Sequence, residues 1–174
     1  GGPDYPRSSI MLAFFTAIVM AKERVYITSP YFIPNDSILD ALKKAALSGK
    51  DVRLLLPGFS DSRIVNAAAR SYFRELLFSG VKIYLYKKGF IHAKTMLVDD
   101  SLTIVGTANM DVRSFDLNFE INAVVYSNAI NRQLHEAFLQ DIENSEEVLL
   151  RQWLKRGRRA EFIDSCARLL SPLL

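Results

Sequence analysis

Three short apolar runs, residues 90–98, 102–106 and 119–126, crowd the middle of the chain with little room for helices between them. They follow a stretch in which strands alternate with helices, and this order most limits the possible fold. Arg24 to Ser29 (RVYITS) reads as a strand ended by Pro30. Asn35 or Asp36 offers an N-cap to a helix carrying Ile38, Leu39, Leu42, Ala45 and Ala46 at helical spacing, with Gly49 as its C-cap. Asp51 to Leu56 is a second strand, stopped by Pro57-Gly58. An amphipathic helix over 61–79 closes at Gly80, and Val81 to Tyr86 is a third strand. Ahead of these, Ser8 or Ser9 caps a helix running to about Glu23, after a Gly/Pro-rich lead-in over 1–7. Asp100-Ser101 fits a tight turn between two of the central runs. From about 129 to 174 the composition is helical, with a break at Gly157. The expectation is one α/β domain over 1–174, layered α/β/α around a central mixed β-sheet, with a basic helical tail over 146–174.

The length of 174 residues suits a single covered core, and 49% hydrophobic with 24% charged residues is an ordinary globular balance. A net charge of +3 suits anionic partners without selecting one. Cys166 is the only cysteine, so no internal disulfide can form. With two histidines, His92 and His135, far apart in sequence, a Cys/His zinc site is excluded on ligand count. His135, beside Glu136 in the helical tail, reads as an exposed residue. The apolar run from Ile10 to Ala21 falls short of the roughly 20 residues a membrane span needs and reads as a buried core helix. No secretory signal is visible, and the start at Gly1-Gly2-Pro3-Asp4 without Met reads as the interior of a longer gene product or an imposed boundary.

The chemistry concentrates in Gly89-Phe90-Ile91-His92-Ala93-Lys94-Thr95-Met96-Leu97-Val98-Asp99, followed by Gly106-Thr107-Ala108-Asn109. On a β-like run, residues two apart share a face, so His92 and Lys94 enter one space while Ile91, Ala93 and Thr95 face the other layer. An ammonium neutralises phosphoryl oxygens, and an imidazole beside it serves as nucleophile or proton donor. Asp99 stands an odd number of residues from Lys94, so it points away and anchors the turn after the strand.

The pattern His92-x-Lys94-x4-Asp99-x6-Gly106-Thr107-x-Asn109 resembles the H-x-K-x4-D-x6-G-[ST]-x-N signature of the phospholipase D superfamily at every position. Further segments look like those of bacterial cardiolipin synthases: Ser29-Pro30-Tyr31-Phe32-Ile33-Pro34, residues 51–58, residues 80–84, Asn109-Met110-Asp111-Val112-Arg113-Ser114, Asn118-Phe119-Glu120 and residues 169–173. The resemblance covers nearly the whole chain and implies the C-terminal catalytic half of a two-motif enzyme with membrane segments. This sequence holds one motif copy and no membrane segment.

The resemblance implies phosphodiester transfer through a covalent phosphohistidine, with no cofactor and no metal. It assigns His92 to the general acid/base of a histidine pair, because the other motif usually supplies the nucleophile. Glu120 is the candidate carboxylate to hold the distal ring nitrogen of His92. Lys94 and Asn109 bind the non-bridging oxygens, Gly106 lets the backbone come close, and Thr107 supports the phosphate or fixes the loop. Asp99 completes the set by motif. Arg113 is either a phosphate or headgroup contact or a loop salt bridge. Tyr31 and Phe32 either line a lipid entrance or belong to the core.

In the tail, Arg151, Lys155, Arg156, Arg158, Arg159 and Arg168 interleave with Trp153, Leu154, Phe162 and Ile163. This composition suits a helix on anionic lipid, or equally a basic helix packed on its own domain. The expected activity is phosphatidyl transfer between two phosphatidylglycerols at the bacterial cytoplasmic membrane, with the fragment itself soluble or peripheral. Hydrolysis as a phospholipase D, a homodimeric nuclease and an inactive isolated half are the alternatives. The expected partners are a phospholipid, a membrane surface, and either the N-terminal motif-bearing half or a homodimer mate. Nucleic acid is disfavoured because no basic groove with stacking aromatics surrounds the motif.

Overall fold

The computed structural model describes residues 1–4, 8–60 and 62–171. The expected lead-in over 1–7, the first residue of the 61–79 helix and the end of the tail (residues 172–174) therefore lie partly outside the described residues. In chain order the elements are α1 (Ser9–Met20), β1 (Arg24–Thr28), β2 (Phe32–Ile33), α2 (Asp36–Leu47), β3 (Asp51–Pro57), α3 (Arg63–Phe78) and β4 (Lys82–Tyr86). There follow β5 (Thr95–Val98), β6 (Leu102–Gly106), β7 (Met110–Asp111), α4 (Val112–Asp116), β8 (Asn122–Tyr126), α5 (Asn128–Glu143), β9 (Ser145–Glu147), α6 (Leu150–Trp153) and α7 (Arg158–Leu169).

Among the described residues one sheet runs β8-β6-β5-β1-β3-β4-β9. The strands β1, β3 and β4 are parallel, and the remaining pairings are antiparallel. Parallel strands need crossovers, and α2 and α3 supply them. Each of these helices starts on a side-chain cap: Asn35 accepts from Ile38 N–H, and Ser62 from Val65 N–H. Behind them Gly49 and Gly80 take positive φ, 85° and 91°, where a side chain would be strained.

Alternation along the strands divides the core. Val25, Ile27, Val52, Leu54, Ile83, Met96 and Val98 meet the helices α1–α3 on one face. Tyr26, Leu55, Tyr84 and Leu97 meet Phe138 of α5 on the other. This is the layered mixed sheet that the sequence predicts.

Several details differ. The tail is not all helical, because β9 pairs with β4 at the sheet edge. Gly157 does interrupt the helices, as the residue preceding α7. Helix α1 stops at Met20 rather than Glu23, and Ser8 spends its hydroxyl on Asp116 instead of capping the helix. Only Phe14, Ala17 and Ile18 of α1 are buried, so it covers the sheet rather than sitting inside the core. Its outer side and β8 frame a groove of about 680 Å³ that includes Leu12, Met20, Val124 and Tyr126 and excludes His92 and Lys94. His135, expected to be exposed, packs its ring 5.4 Å from Tyr26. No helix among the described residues is long and apolar enough to cross a membrane.

Asp99 closes β5 with φ 51°, a left-handed conformation that aspartate tolerates better than most residues. Its carboxylate accepts from the backbone N–H groups of Lys22 (3.0 Å), Glu23 (2.8 Å) and Arg24 (3.1 Å), fixing the entry to β1. Burial would raise its pKa, but the three N–H donors outweigh it and hold the carboxyl below its ordinary value. A depressed native pKa stabilises above the unfolded value and loses that stabilisation as pH falls. Asp99→Ala should therefore cost about 1–3 kcal/mol by urea denaturation at pH 7, with a difference that shrinks on acidification; a loss unchanged by acid would contradict this role.

Candidate active site

The centre of the sheet brings three chain segments together. Strand β5 begins at Thr95, opposite Thr28 of β1. Just beyond Thr28, Ser29 is buried; its hydroxyl donates to Tyr31 O (2.6 Å) and accepts from Met110 N–H (3.0 Å). That bond draws the 107–111 loop onto the end of β1, where β2 and β7 pair through Phe32–Met110 and Ile33–Asp111. Asn109 N–H donates to Ser114 Oγ (3.1 Å), and Asp111 caps α4 by accepting from Ser114 N–H (2.7 Å).

His92 and Lys94 precede β5 rather than lying on it. They nevertheless share one space, as their spacing predicts. Lys94 Nζ lies 3.2 Å from His92 Nδ1 and 3.3 Å from Nε2, and it donates to His92 O at 3.0 Å. The neutral ring has one acceptor nitrogen, so the ammonium cannot bond to both, and the bond to the His92 carbonyl orients the lysine. Ile91 does reach the α5 layer, whereas Ala93 is exposed. Burial pushes the Lys94 pKa below its ordinary value, against the pull of Glu120 and Asp111.

Gly106 stands where two strands and the motif meet. Its N–H donates to Lys94 O (3.2 Å). A Cβ there would lie 1.7 Å from Asn122 Oδ1 and 2.3 Å from Ile121 O. Thr107 fixes the loop, since its N–H donates to Ile121 O (2.9 Å) and its hydroxyl accepts from Ile121 N–H (3.0 Å) while donating to Glu120. Glu120 also accepts from Asn118 Nδ2 (3.3 Å). Glu120 thus engages Thr107 and Asn118, and no hydrogen bond joins it to His92; the expected carboxylate–imidazole contact is not made in this structure.

Tyr31 and Phe32 part company. Phe32 is buried in the core against Tyr72, whereas Tyr31 is half-buried with its ring 6.4 Å from that of His92. Phe90 lies 5.6 Å from the same imidazole and 6.4 Å from Phe59, so aromatic rings flank the histidine. Tyr31, Asn109 and Arg113 line a cleft of about 330 Å³ together with Asp111 and Asn118. Asn109 Oδ1 is buried there with no hydrogen-bond partner, an acceptor open to a donor in the cleft. Arg113 is exposed and forms no ion pair with a described residue. Thr107 and Glu120 open instead onto a shallow depression of about 670 Å³. Asp99 lies at the opposite end of β5 from Lys94, in its structural role.

Sequence reasoning missed Asp111 as part of the site. Burial raises its pKa, and the neighbouring Glu120 adds to the effect against hydrogen bonds from Ser114 and Asn109. Its signal was an aspartate three residues before Ser114, a helix-start pattern.

Residues 14–142 match the family model described as "Cardiolipin synthase, PLD-like domain". The chain belongs to that family. Within it, the chain is 51% identical over its whole length to cardiolipin synthase 2 of Bacillus anthracis, of which it spans 34%. It therefore corresponds to about a third of such a relative rather than half. Two solved structures share the fold: Nuc, a phospholipase D family member from Salmonella typhimurium, and phosphatidylserine synthase from Haemophilus influenzae. The first has TM-score 0.70 and 20% identity over 79% of this chain and 90% of that one; the second has TM-score 0.73 and 12% identity over 95% and 44%.

Two outcomes follow for this family domain. Gly106→Ala should destabilise the fold by at least about 1–3 kcal/mol, read as a lowered midpoint in thermal unfolding, because the contacts are backbone and a fixed amide. An unchanged midpoint would mean that the strands can part there. A raised native carboxyl pKa stabilises at acid pH and loses that stabilisation as pH rises through the native value. Asp111→Asn keeps a cap acceptor without the charge, so its stability relative to wild type should improve from pH 4 to pH 8. The opposite slope would contradict a destabilised buried carboxylate.

Proposed function

We propose that this domain carries one motif of a cardiolipin synthase and catalyses phosphatidyl transfer between two phosphatidylglycerol molecules, releasing glycerol. The observation that carries the reading is the adjacency of the His92 imidazole and the Lys94 ammonium at 3.2 Å. The 51% identity to a cardiolipin synthase supports the substrate class. A second motif, from the N-terminal part of the longer protein or from a second copy, supplies the partner histidine. That histidine attacks phosphorus; an N–P bond forms as the P–O bond to glycerol breaks, and His92 gives its proton to the departing oxygen. The hydroxyl of a second phosphatidylglycerol then attacks, His92 takes its proton back, and the N–P bond breaks. Lys94 and Asn109 hold the non-bridging oxygens. Arg113 and Tyr31 lie on the cleft where the headgroup or glycerol backbone would rest. Thr107, Gly106 and Glu120 keep the loop in place.

The test incubates the chain, alone and mixed with a motif-bearing N-terminal part, with phosphatidylglycerol vesicles in EDTA, and reads the lipids by mass spectrometry. Cardiolipin should form in the mixture and fall by about 10²–10⁴-fold in His92→Ala. Phosphatidic acid would indicate hydrolysis instead, and cleavage of DNA by the chain alone would overturn the lipid reading. The depressed Lys94 pKa adds a pH signature. Deprotonation removes the cation that holds the phosphoryl oxygens, so the alkaline limb of kcat/KM should fall below the ordinary lysine pKa and vanish from that position in Lys94→Arg.

A further inference from the structure

The basic tail settles on its own domain through one side only. Helix α7 lies along α3, with Asp164 and Ala167 buried. Asp164 receives Arg70 (3.0 Å) and Arg156 (2.7 Å), and Arg168 pairs with Glu75 (2.8 Å). Tyr72 donates to Ser171 (3.2 Å) beside them. The inward face is therefore polar and paired. The outward face is the reverse of a solvated helix. Phe162, Ile163 and Leu169 are 70%, 58% and 81% exposed, and the 3.6-residue period places them on one stripe with Arg158 and Arg159. From Leu150 to Ser171 there are six cations and two carboxylates. Arg156 and Arg168 are committed to ion pairs, but Arg151, Lys155, Arg158 and Arg159 form none with a described residue.

We propose that the outward face of α7 docks on an anionic lipid surface, with Phe162, Ile163 and Leu169 entering the acyl boundary and Arg151, Lys155, Arg158 and Arg159 meeting the headgroups. Charge selects this occupant. A protein partner would have to bring carboxylates to meet four unpaired cations around so narrow an apolar stripe, whereas an acidic bilayer offers both an apolar layer and anionic headgroups in that geometry. The inference deepens the phosphatidyl-transfer reading by naming how the domain meets its lipid, and it rests on that reading only for its purpose.

The test is co-sedimentation of the 174-residue chain with vesicles of phosphatidylcholine alone or with 30% phosphatidylglycerol, apart from any turnover. Binding should be about tenfold stronger with phosphatidylglycerol and should weaken with salt. The double substitutions Phe162→Ser/Ile163→Ser and Arg158→Gln/Arg159→Gln should each lower it about tenfold with little movement of the thermal midpoint, because all four residues are exposed. His92→Ala should bind as wild type, and failed turnover by the wild-type mixture with intact vesicle binding would sink the transfer reading alone. Equal binding to both vesicles, or binding unchanged by both double variants, would overturn the proposal. So would a dimer in solution that Phe162→Ser/Ile163→Ser converts to monomer, since the stripe would then face a second copy.

Discussion

The bond from Gly106 N–H to the Lys94 carbonyl, with the Asn122 amide filling the place of a Cβ, is the contact on which the rest of the site depends. Strand β1 ends at Thr28, and β5 therefore loses its neighbour at Thr95. Residues 91–94 have no strand partner on that side. The end of β6 holds Lys94 through the Gly106 N–H, Ile91 packs on the α5 layer, and the missing side chain at 106 lets Asn122 and Ile121 come close. The same close approach sets Thr107 against Ile121 and Glu120. One glycine thus fixes the lysine, the loop threonine and the carboxylate relative to one another.

A second layer of order comes from hydroxyls rather than apolar packing. Ser29 and Ser114 each accept a backbone N–H from the 109–110 turn, and the turn presents Asn109 to the cleft beside Asp111. The first is buried and ties together residues 81 apart in sequence, the second is part-buried, and together they preorganise a polar corner. The electrostatics follow. Lys94 is partly desolvated and feels two carboxylates, Glu120 and Asp111, and burial raises the pKa of Asp111 above its ordinary value. An arriving phosphodiester would meet the Lys94 ammonium, while the unpartnered Asn109 Oδ1 could accept only from a hydroxyl such as that of the alcohol.

Much of this was legible in the sequence, for identifiable reasons. Glycine and proline punctuation fixed α2, β3, α3 and β4 closely, and two-residue periodicity correctly placed His92 and Lys94 in one space. The same periodicity extended β5 too far, because it carries no information about where a neighbouring strand ends. The edge strand β9 (SEE) is polar and exposed and has no apolar alternation to reveal it. The pair β2 and β7 is only two residues long on each side, below any repeat. The Glu120 partner failed for another reason: which of several nearby polar groups a carboxylate takes is decided by tertiary placement, and Thr107, just after β6, and Asn118, just after α4, reach it here. The tail composition left two readings open, and the structure separates them by face, with paired charges inward and unpaired charges with apolar side chains outward.

On the proposed function, His92, Lys94 and Asn109 of this one chain would together bind a phosphoryl group before any partner arrives. Proton–nitrogen correlation spectra of the chain, titrated with inorganic phosphate, test it directly. The His92 ring and the Asn109 side-chain amide should shift together along one saturating curve, and Lys94→Ala should abolish both shifts. If neither resonance moves while those of Arg158 and Arg159 do, the phosphate is responding to the basic helix and the three residues do not bind it in the isolated domain.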